Sequence, residues 1–410
     1  MFKKTGVAVA LVALLAMSAL LMSCGSGSDR PSGLLYVVSQ SLSNISSYAL
    51  DLASGNLSLI TNNLANTCAD TSCGPPLTIT VDPTGATAFV LSQGAISGFT
   101  VNSDGSLSLP TTAATLEQPA LAMAPTAAGD FLFVISSPAN PSLSNEPLLS
   151  TFSTSPGSTS ATFVSSVSLP RVPTGVSTVT FTPPNASAQT MVFVSSNLDL
   201  TGAHNDSELS AFVADSSGNL TEQSASPYTA QAPNPLSVFA VNTNPPGQPA
   251  LGGVFVFVGS QAAVAGSVSS FEVCTQVDAN CTQGDVTNEN LRISVKPTNV
   301  GQNPITMITD PTNTFLYIAC NVGNNVYGFR MGTGTGSLTP LSPALQPTGA
   351  GPVSLAIHPS NNNSNEFLYV ANNTASTIVG YTVNLTSGNL SNPMAPVIFT
   401  PGNPYGIAGR

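Results

Sequence analysis

Three polar side chains in this sequence are of the types that could do chemistry together: Arg171, His204 and Asp206. An arginine can hold an anion, a histidine can act as general base, and an aspartate can orient the imidazole. If the fold brings them to one place they form a small acid–base site. The segment Gly202-Ala203-His204-Asn205-Asp206-Ser207 has an equally plain reading as a solvated loop tip, and spacing alone gives no geometry. The other histidine, His358, precedes Pro359, where a polar side chain stabilises a turn.

A second set consists of amides. Gln118, Asn234, Asn303 and Asn403 each stand directly before a proline. Converging amides suit a neutral polyol or glycan, or Ca²⁺ with help from carboxylates. They suit equally well the capping of a strand entry. The sequence holds no Gly-rich phosphate loop, nucleophile elbow or metalloprotease motif. Beyond that weak Ca²⁺ option, no residue pattern calls for a cofactor.

Cys68 and Cys73 are close in sequence, as are Cys274 and Cys281. In an exported chain each pair reads as a disulfide closing a small loop. Metal ligation is the rival reading, but no histidine accompanies either pair at zinc-finger spacing. Cys320 falls in an apolar stretch and reads as a buried, inert thiol.

Charge narrows the partners. Leaving aside Lys3 and Lys4, the cations are Arg30, Arg171, Arg292, Lys296, Arg330 and Arg410, six against 19 acidic residues, a formal charge of −13. Nucleic acid needs clustered Lys and Arg and is excluded as a partner. Only 7% of the chain is charged, so Ser, Thr and Asn must supply its surface.

The elements that must position these residues announce themselves by repetition. An apolar, aromatic-bearing stretch recurs seven times, at 34–38, 87–91, 131–135, 191–194, 254–258, 315–319 and 367–371. Before each good copy comes a strand that begins near a proline and ends near Asp-Pro or its equivalent, as at 305–311 and 353–359. After it comes an alternating strand such as 325–329 or 377–383. A Gly-containing hairpin then leads to a short outer strand, read at 51–58, 104–107, 217–220, 336–338 and 387–390. Four strands per unit and seven units predict an all-β, seven-bladed β-propeller over residues 33–410. Blades longer than about 40–45 residues leave a surplus for loops, chiefly 136–147, 195–207 and 242–253. Residues 402–408 look like the first strand of a blade with no second strand after it, and 34–38 like a second strand with no first. The last strand should therefore complete the first blade and close the ring. On this map Arg171, the 202–207 loop and the four amides share one face of the ring, and His358 lies on the other.

The start of the chain reads as a leader. Lys3 and Lys4 precede an apolar run from 7 to 22, then Ser23-Cys24 and a small-residue stretch. Leu21-Met22-Ser23-Cys24 resembles the bacterial lipobox, which implies lipidation of Cys24. Residues 1–23 are then a lipoprotein signal peptide and 24–32 a flexible tether. Anchoring by acyl chains would place the protein on a membrane, and outer membrane is the expected address.

The blades themselves resemble a known group. Asp310-Pro311-Thr312-Asn313-Thr314-Phe315-Leu316-Tyr317-Ile318-Ala319-Cys320-Asn321 is similar to the repeat of the lactonase-type seven-bladed propellers, as is the run from Gly351-Pro352 to Asn372. That group includes bacterial 6-phosphogluconolactonases and non-enzymatic surface-layer propellers with Tyr-Val-Thr-Asn-like repeats. Enzyme-like members often carry Arg-His after the Gly-Pro of a first strand and Asn-Glu after the aromatic strand. Here those positions read Val353-Ser354 and Asn372-Asn373. The resemblance thus implies the fold strongly and the activity weakly. The sequence points first to a lipid-anchored binding or scaffold module for a protein, peptide or glycan. The alternative is a sugar-lactone hydrolase working through Arg171, His204 and Asp206.

Overall fold

All seven aromatic stretches form strands, and each becomes the second strand of its own antiparallel sheet. The computed structural model describes residues 33–410 except 70–72, 143–144, 184–186, 201–206, 245–251, 262–263, 275–285, 289–296 and 361–364, and without the side chains of 61–64, 198–199 and 286–288. The leader, the tether and Cys24 lie outside the described residues.

The second strands are apolar without interruption because they are covered on both faces. Every residue of Gly33–Ser39, Thr87–Ser92 and Phe315–Cys320 is buried. Such a strand has no solvent side and so shows no alternation. The inner strands are Pro404–Gly409, Pro76–Val81, Ala120–Pro125, Arg171–Phe181, Pro235–Asn242, Pro304–Thr309 and Pro352–Pro359, for blades 1 to 7 in turn. Each touches the next around a complete circle, and the last returns to the first.

Closure occurs as the sequence implies. Pro404–Gly409 pairs antiparallel with Gly33–Ser39, with Leu35 opposite Gly409 and Ser39 opposite Pro404. The first blade is therefore made from both ends of the ring, and no second strand is left as an unpaired edge.

The core is divided among the seams. Seven clusters of buried side chains each straddle one pair of neighbouring blades. Leu34, Tyr36 and Val38 of blade 1 pack on Ile79, Val90 and Phe99 of blade 2. Leu35 and Val37, on the opposite side of the same strand, pack on Tyr369 and Ala371 of blade 7. One polar contact recurs in three seams. The hydroxyl of a second-strand tyrosine donates to a glycine carbonyl in the outer hairpin of the next blade: Tyr36 to Gly105, Tyr317 to Gly388 and Tyr369 to Gly55, at 2.9, 2.7 and 2.6 Å. Burial would otherwise strand both groups.

The outer strands lie later than the sequence suggests. Residues 51–56 form the hairpin turn itself, where Asp51 accepts from Ala53 N and Ser54 Oγ. The outer strand of blade 1 is Leu57–Asn66. In blades 2 and 7 the segments read as strands contribute only isolated bridges, Val101 to Leu107 and Val383 to Leu390, and the outer strands are Thr111–Thr115 and Ile398–Phe399. The Asp/Asn and Gly of these segments close turns, which is where those residues are favoured.

Candidate functional site

The channel through the ring is walled by the inner strands, and its chemistry follows from theirs. In Arg171–Phe181 buried and half-buried positions alternate, as one face packs outward and the other turns to the channel. Ala122, Thr174, Val176, Leu236, Phe239 and Ile305, from blades 3 to 6, line a space of about 240 Å³ there. Across all seven inner strands the ionisable side chains are Arg171, His358 and Tyr405. The wall itself carries no carboxylate and no lysine.

Arg171 opens its inner strand, opposite Asp199 in the register. Its Nε lies 2.5 Å from Oε2 of Glu208, the first residue of the third strand of the same blade. Both side chains are mostly buried, at 16% and 14% exposure. An anion reaching this guanidinium must compete with a carboxylate already seated on it. His204 and Asp206 lie outside the described residues.

At three of the four amide positions the hydrogen bonds serve the strand entry, through the side chain of Asn234 and the main chain of Asn303 and Asn403. Asn234 and Asn303 hold left-handed backbone conformations, φ 51° and 55°, where the chain turns into Pro235 and Pro304. Asparagine tolerates that region better than most residues. Asn234 Nδ2 donates to Gln261 O at 3.3 Å, and Asn303 N donates to Gln261 Oε1 at 2.6 Å. Asn403 N donates to Ser41 Oγ. Gln118 differs: Nε2 donates to Glu146 O at 2.9 Å, while Oε1 is buried with no partner among the described residues, in a cleft between blades 2 and 3.

His358 is buried at the other end of its inner strand. Nδ1 meets Pro359 O at 2.7 Å, and Nε2 meets the main-chain oxygen of Arg410. One ring nitrogen thus faces the histidine's own strand and the other the closing seam. Cys68 and Cys73 are bridged, with Cα atoms 6.5 Å apart, in the connection from blade 1 to blade 2. Cys274 is disulfide-bonded, and Cys281 lies outside the described residues. Burial pushes the Cys320 thiol up to about 12, the behaviour of an inert packing residue.

The positions at which the family resemblance would place Arg-His and Asn-Glu staple the ring instead. Ser354 Oγ accepts from Ile407 N of the neighbouring inner strand at 3.2 Å. Asn373 Nδ2 donates to Pro404 O at 3.1 Å, and Asn372 Oδ1 accepts from Thr348 Oγ1 at 3.0 Å. Among the described residues no three His, Cys, Asp or Glu side chains gather as a metal site would require.

Sequence reasoning missed a buried carboxylate. Glu366 is 4% exposed, and its Oε2 has no hydrogen-bond partner among the described residues. Burial, followed by the nearby Asp310 carboxylate, pushes its pKa up to about 7. Tyr317, also buried, faces the same two carboxylates, and its pKa rises from burial first and then from their charges. An unfolded glutamate ionises near 4.5, whereas Glu366 in the fold holds its proton until about 7. The folded state therefore binds the extra proton between these values, and stability falls as pH rises through that window. The interval corresponds to about 3 kcal/mol at most, and solvent screening at the blade edge reduces it to about 1–2 kcal/mol. Urea titrations of Glu366→Gln should show a gain of that size at pH 8 and none at pH 4. Equal effects at both pH values would exclude this origin.

The chain matches no protein-family model and no curated protein. Solved structures do resemble it. A candidate 6-phosphogluconolactonase of Bacteroides uniformis superposes with a TM-score of 0.64 at 12% identity, covering 93% of this chain and 100% of that one. A second, from Bacteroides fragilis, gives 0.63 at 14% identity, with 94% and 99% covered. The periplasmic gluconolactonase PpgL of Pseudomonas aeruginosa gives 0.62 at 14% identity, with 92% and 98% covered. At these identities the likeness is one of fold: this chain is a seven-bladed β-propeller of the architecture seen in the lactonase-type propellers.

Proposed function

We propose that this protein is a binding propeller of the cell envelope, exported, lipidated at Cys24 and anchored through it, probing for a glycan, peptide or protein on the face where the inner strands begin. One observation carries the reading. The channel wall offers hydroxyls and aliphatic groups, its one charged side chain, Arg171, is already engaged by Glu208, and the His358 ring lies against two main-chain oxygens. Hydrolysis of a lactone needs a base placed to activate water and a group to hold the developing oxyanion. Binding a neutral ligand needs neither.

The second reading is a sugar-lactone hydrolase. Its support is the likeness to the candidate 6-phosphogluconolactonases and to the periplasmic gluconolactonase. Its residues would be Arg171, His204 and Asp206. The full chain, purified in detergent, should give no turnover of glucono-δ-lactone or 6-phosphogluconolactone above the spontaneous rate. Turnover that disappears in both His204→Ala and Arg171→Ala would replace the binding reading with the hydrolase. Loss of radiolabelled palmitate incorporation in Cys24→Ser tests the anchor, and undiminished labelling would remove it.

A further inference from the structure

Where the outer strand of blade 2 runs into the inner strand of blade 3, a cleft of about 270 Å³ opens between the two blades. Blade 3 supplies one wall from three adjacent strands. Ser150 stands opposite Val134 on one side and Ser166 on the other, and Ser136 stands opposite Leu148. Ser136 and Ser150 are only 4% and 8% exposed, and both line the cleft. The connection from blade 2 supplies the other wall, with the exposed Glu117 and with Gln118, whose buried Oε1 has no hydrogen-bond partner among the described residues.

Unsatisfied buried polar groups are rare, because each costs about 1–3 kcal/mol. One of them, the Oε1 of Gln118, lies in this cleft. At its side, Phe163 is 56% exposed on the outer strand and meets Phe152 edge-on, with ring centroids 5.8 Å apart. An exposed aromatic beside hydroxyls, an amide oxygen without a donor and a carboxylate is a set with one chemical complement. The amide oxygen and the carboxylate take O–H donors, the serines exchange hydrogen bonds with hydroxyls, and the ring packs on a C–H face. Glu117 repels anions, as does the overall charge of −11 of the whole sequence. The volume lies just below the roughly 300 Å³ at which ordinary ligand pockets begin, so it admits a single ring rather than a long chain.

We propose that the cleft between blades 2 and 3 binds one neutral polyhydroxylated ring, a hexose or the terminal unit of a glycan. The proposal rests on the binding reading above, to which it adds a ligand class and a place. Gln118 belongs to it through its orphaned carbonyl, apart from the other three amides.

The test is saturation-transfer NMR and calorimetry on the full chain in detergent, with methyl β-D-glucoside, methyl β-D-galactoside, N-acetylglucosamine and myo-inositol as probes. At least one should bind in the millimolar range. Phe163→Ala and Glu117→Ala alter exposed side chains, so both variants should keep the parent's urea midpoint while weakening that probe at least fivefold. Failure of all four probes to bind overturns the proposal. Binding that both variants leave unchanged also overturns it, while preserving the reading of a binding propeller. Lactone turnover in the assay above, with no probe bound, overturns both.

Discussion

A chain lacking residues 401–410 is expected to lose the whole ring, not just one strand. Five residues of Gly33–Ser39 have register partners in Pro404–Gly409, and without them the strand becomes an open edge. That strand is apolar on both sides: Leu34, Leu35, Tyr36 and Val38 are 0% exposed and Val37 is 2% exposed. Its two sides belong to two different seams, so a loosened strand disturbs blades 7 and 2 together. Arg410 adds to the seal. Its main chain exchanges hydrogen bonds with Leu34 at 2.9 and 3.1 Å, and its guanidinium donates to Thr84 O of blade 2 at 3.3 Å. His358 holds its main-chain oxygen from blade 7. About four to five ladder hydrogen bonds at about 1 kcal/mol each, with burial of Ile407 at about 2 kcal/mol, give roughly 6–7 kcal/mol. Whole domains are stable by about 5–15 kcal/mol. Circular dichroism during urea titration should therefore show an early, broad transition or no native baseline. Phe399→Ser, on an outer strand at 79% exposure, should shift stability by no more than about 0.5 kcal/mol. An unchanged midpoint in the truncated chain would mean that closure contributes little.

The second strands and the closure were legible because their signal is local and strong. A strand buried on both faces must be a run of Val, Ile, Leu, Phe and Tyr, and that run repeats seven times. The outer strands were not. Thr111–Thr115 pairs on one side only and is mostly exposed, so it needs neither apolar residues nor alternation. The turn residues before it are more conspicuous than the strand, and the eye stops there. Site residues were legible as types but not as partners. Arg171 stood out as a rare cation, but Glu208, its counter-ion, is separated from it by the whole second strand and a loop. Glu366 carries no mark in the sequence, because its nearness to Asp310 of blade 6 arises only in the fold. The cleft beside Gln118 lies between two separate sheets, and single-sequence periodicity holds no trace of that.

A substitution at Gly55 should be the most damaging single methyl addition in the closing seam. Gly55 ends the turn that Asp51 organises, with its N–H bonded to Asp51 O at 2.7 Å, and its φ is 77°. Alanine in that region costs about 1–2 kcal/mol. A Cβ there would also stand 2.5–2.6 Å from Cδ1 and Cε1 of Phe367, a distance that must be relieved by moving blade 1 away from blade 7. Overpacking of this kind costs about 1–3 kcal/mol. The shift would stretch the bond from Tyr369 Oη to Gly55 O, worth about 1 kcal/mol. The sum for Gly55→Ala is about 3 kcal/mol or more in urea unfolding. Gly157 provides the control, because its φ is 81° but a Cβ there meets nothing within 4 Å. Gly157→Ala should lose only the backbone part, about 1–2 kcal/mol. Tyr369→Phe removes the hydroxyl alone and should lose about 1 kcal/mol. If Gly55→Ala and Gly157→Ala fall by the same amount, the close approach of Phe367 adds nothing and the seam is softer than its packing suggests. If the difference appears, the recurring glycine of the outer hairpin is kept for the ring beneath it as much as for the turn it makes.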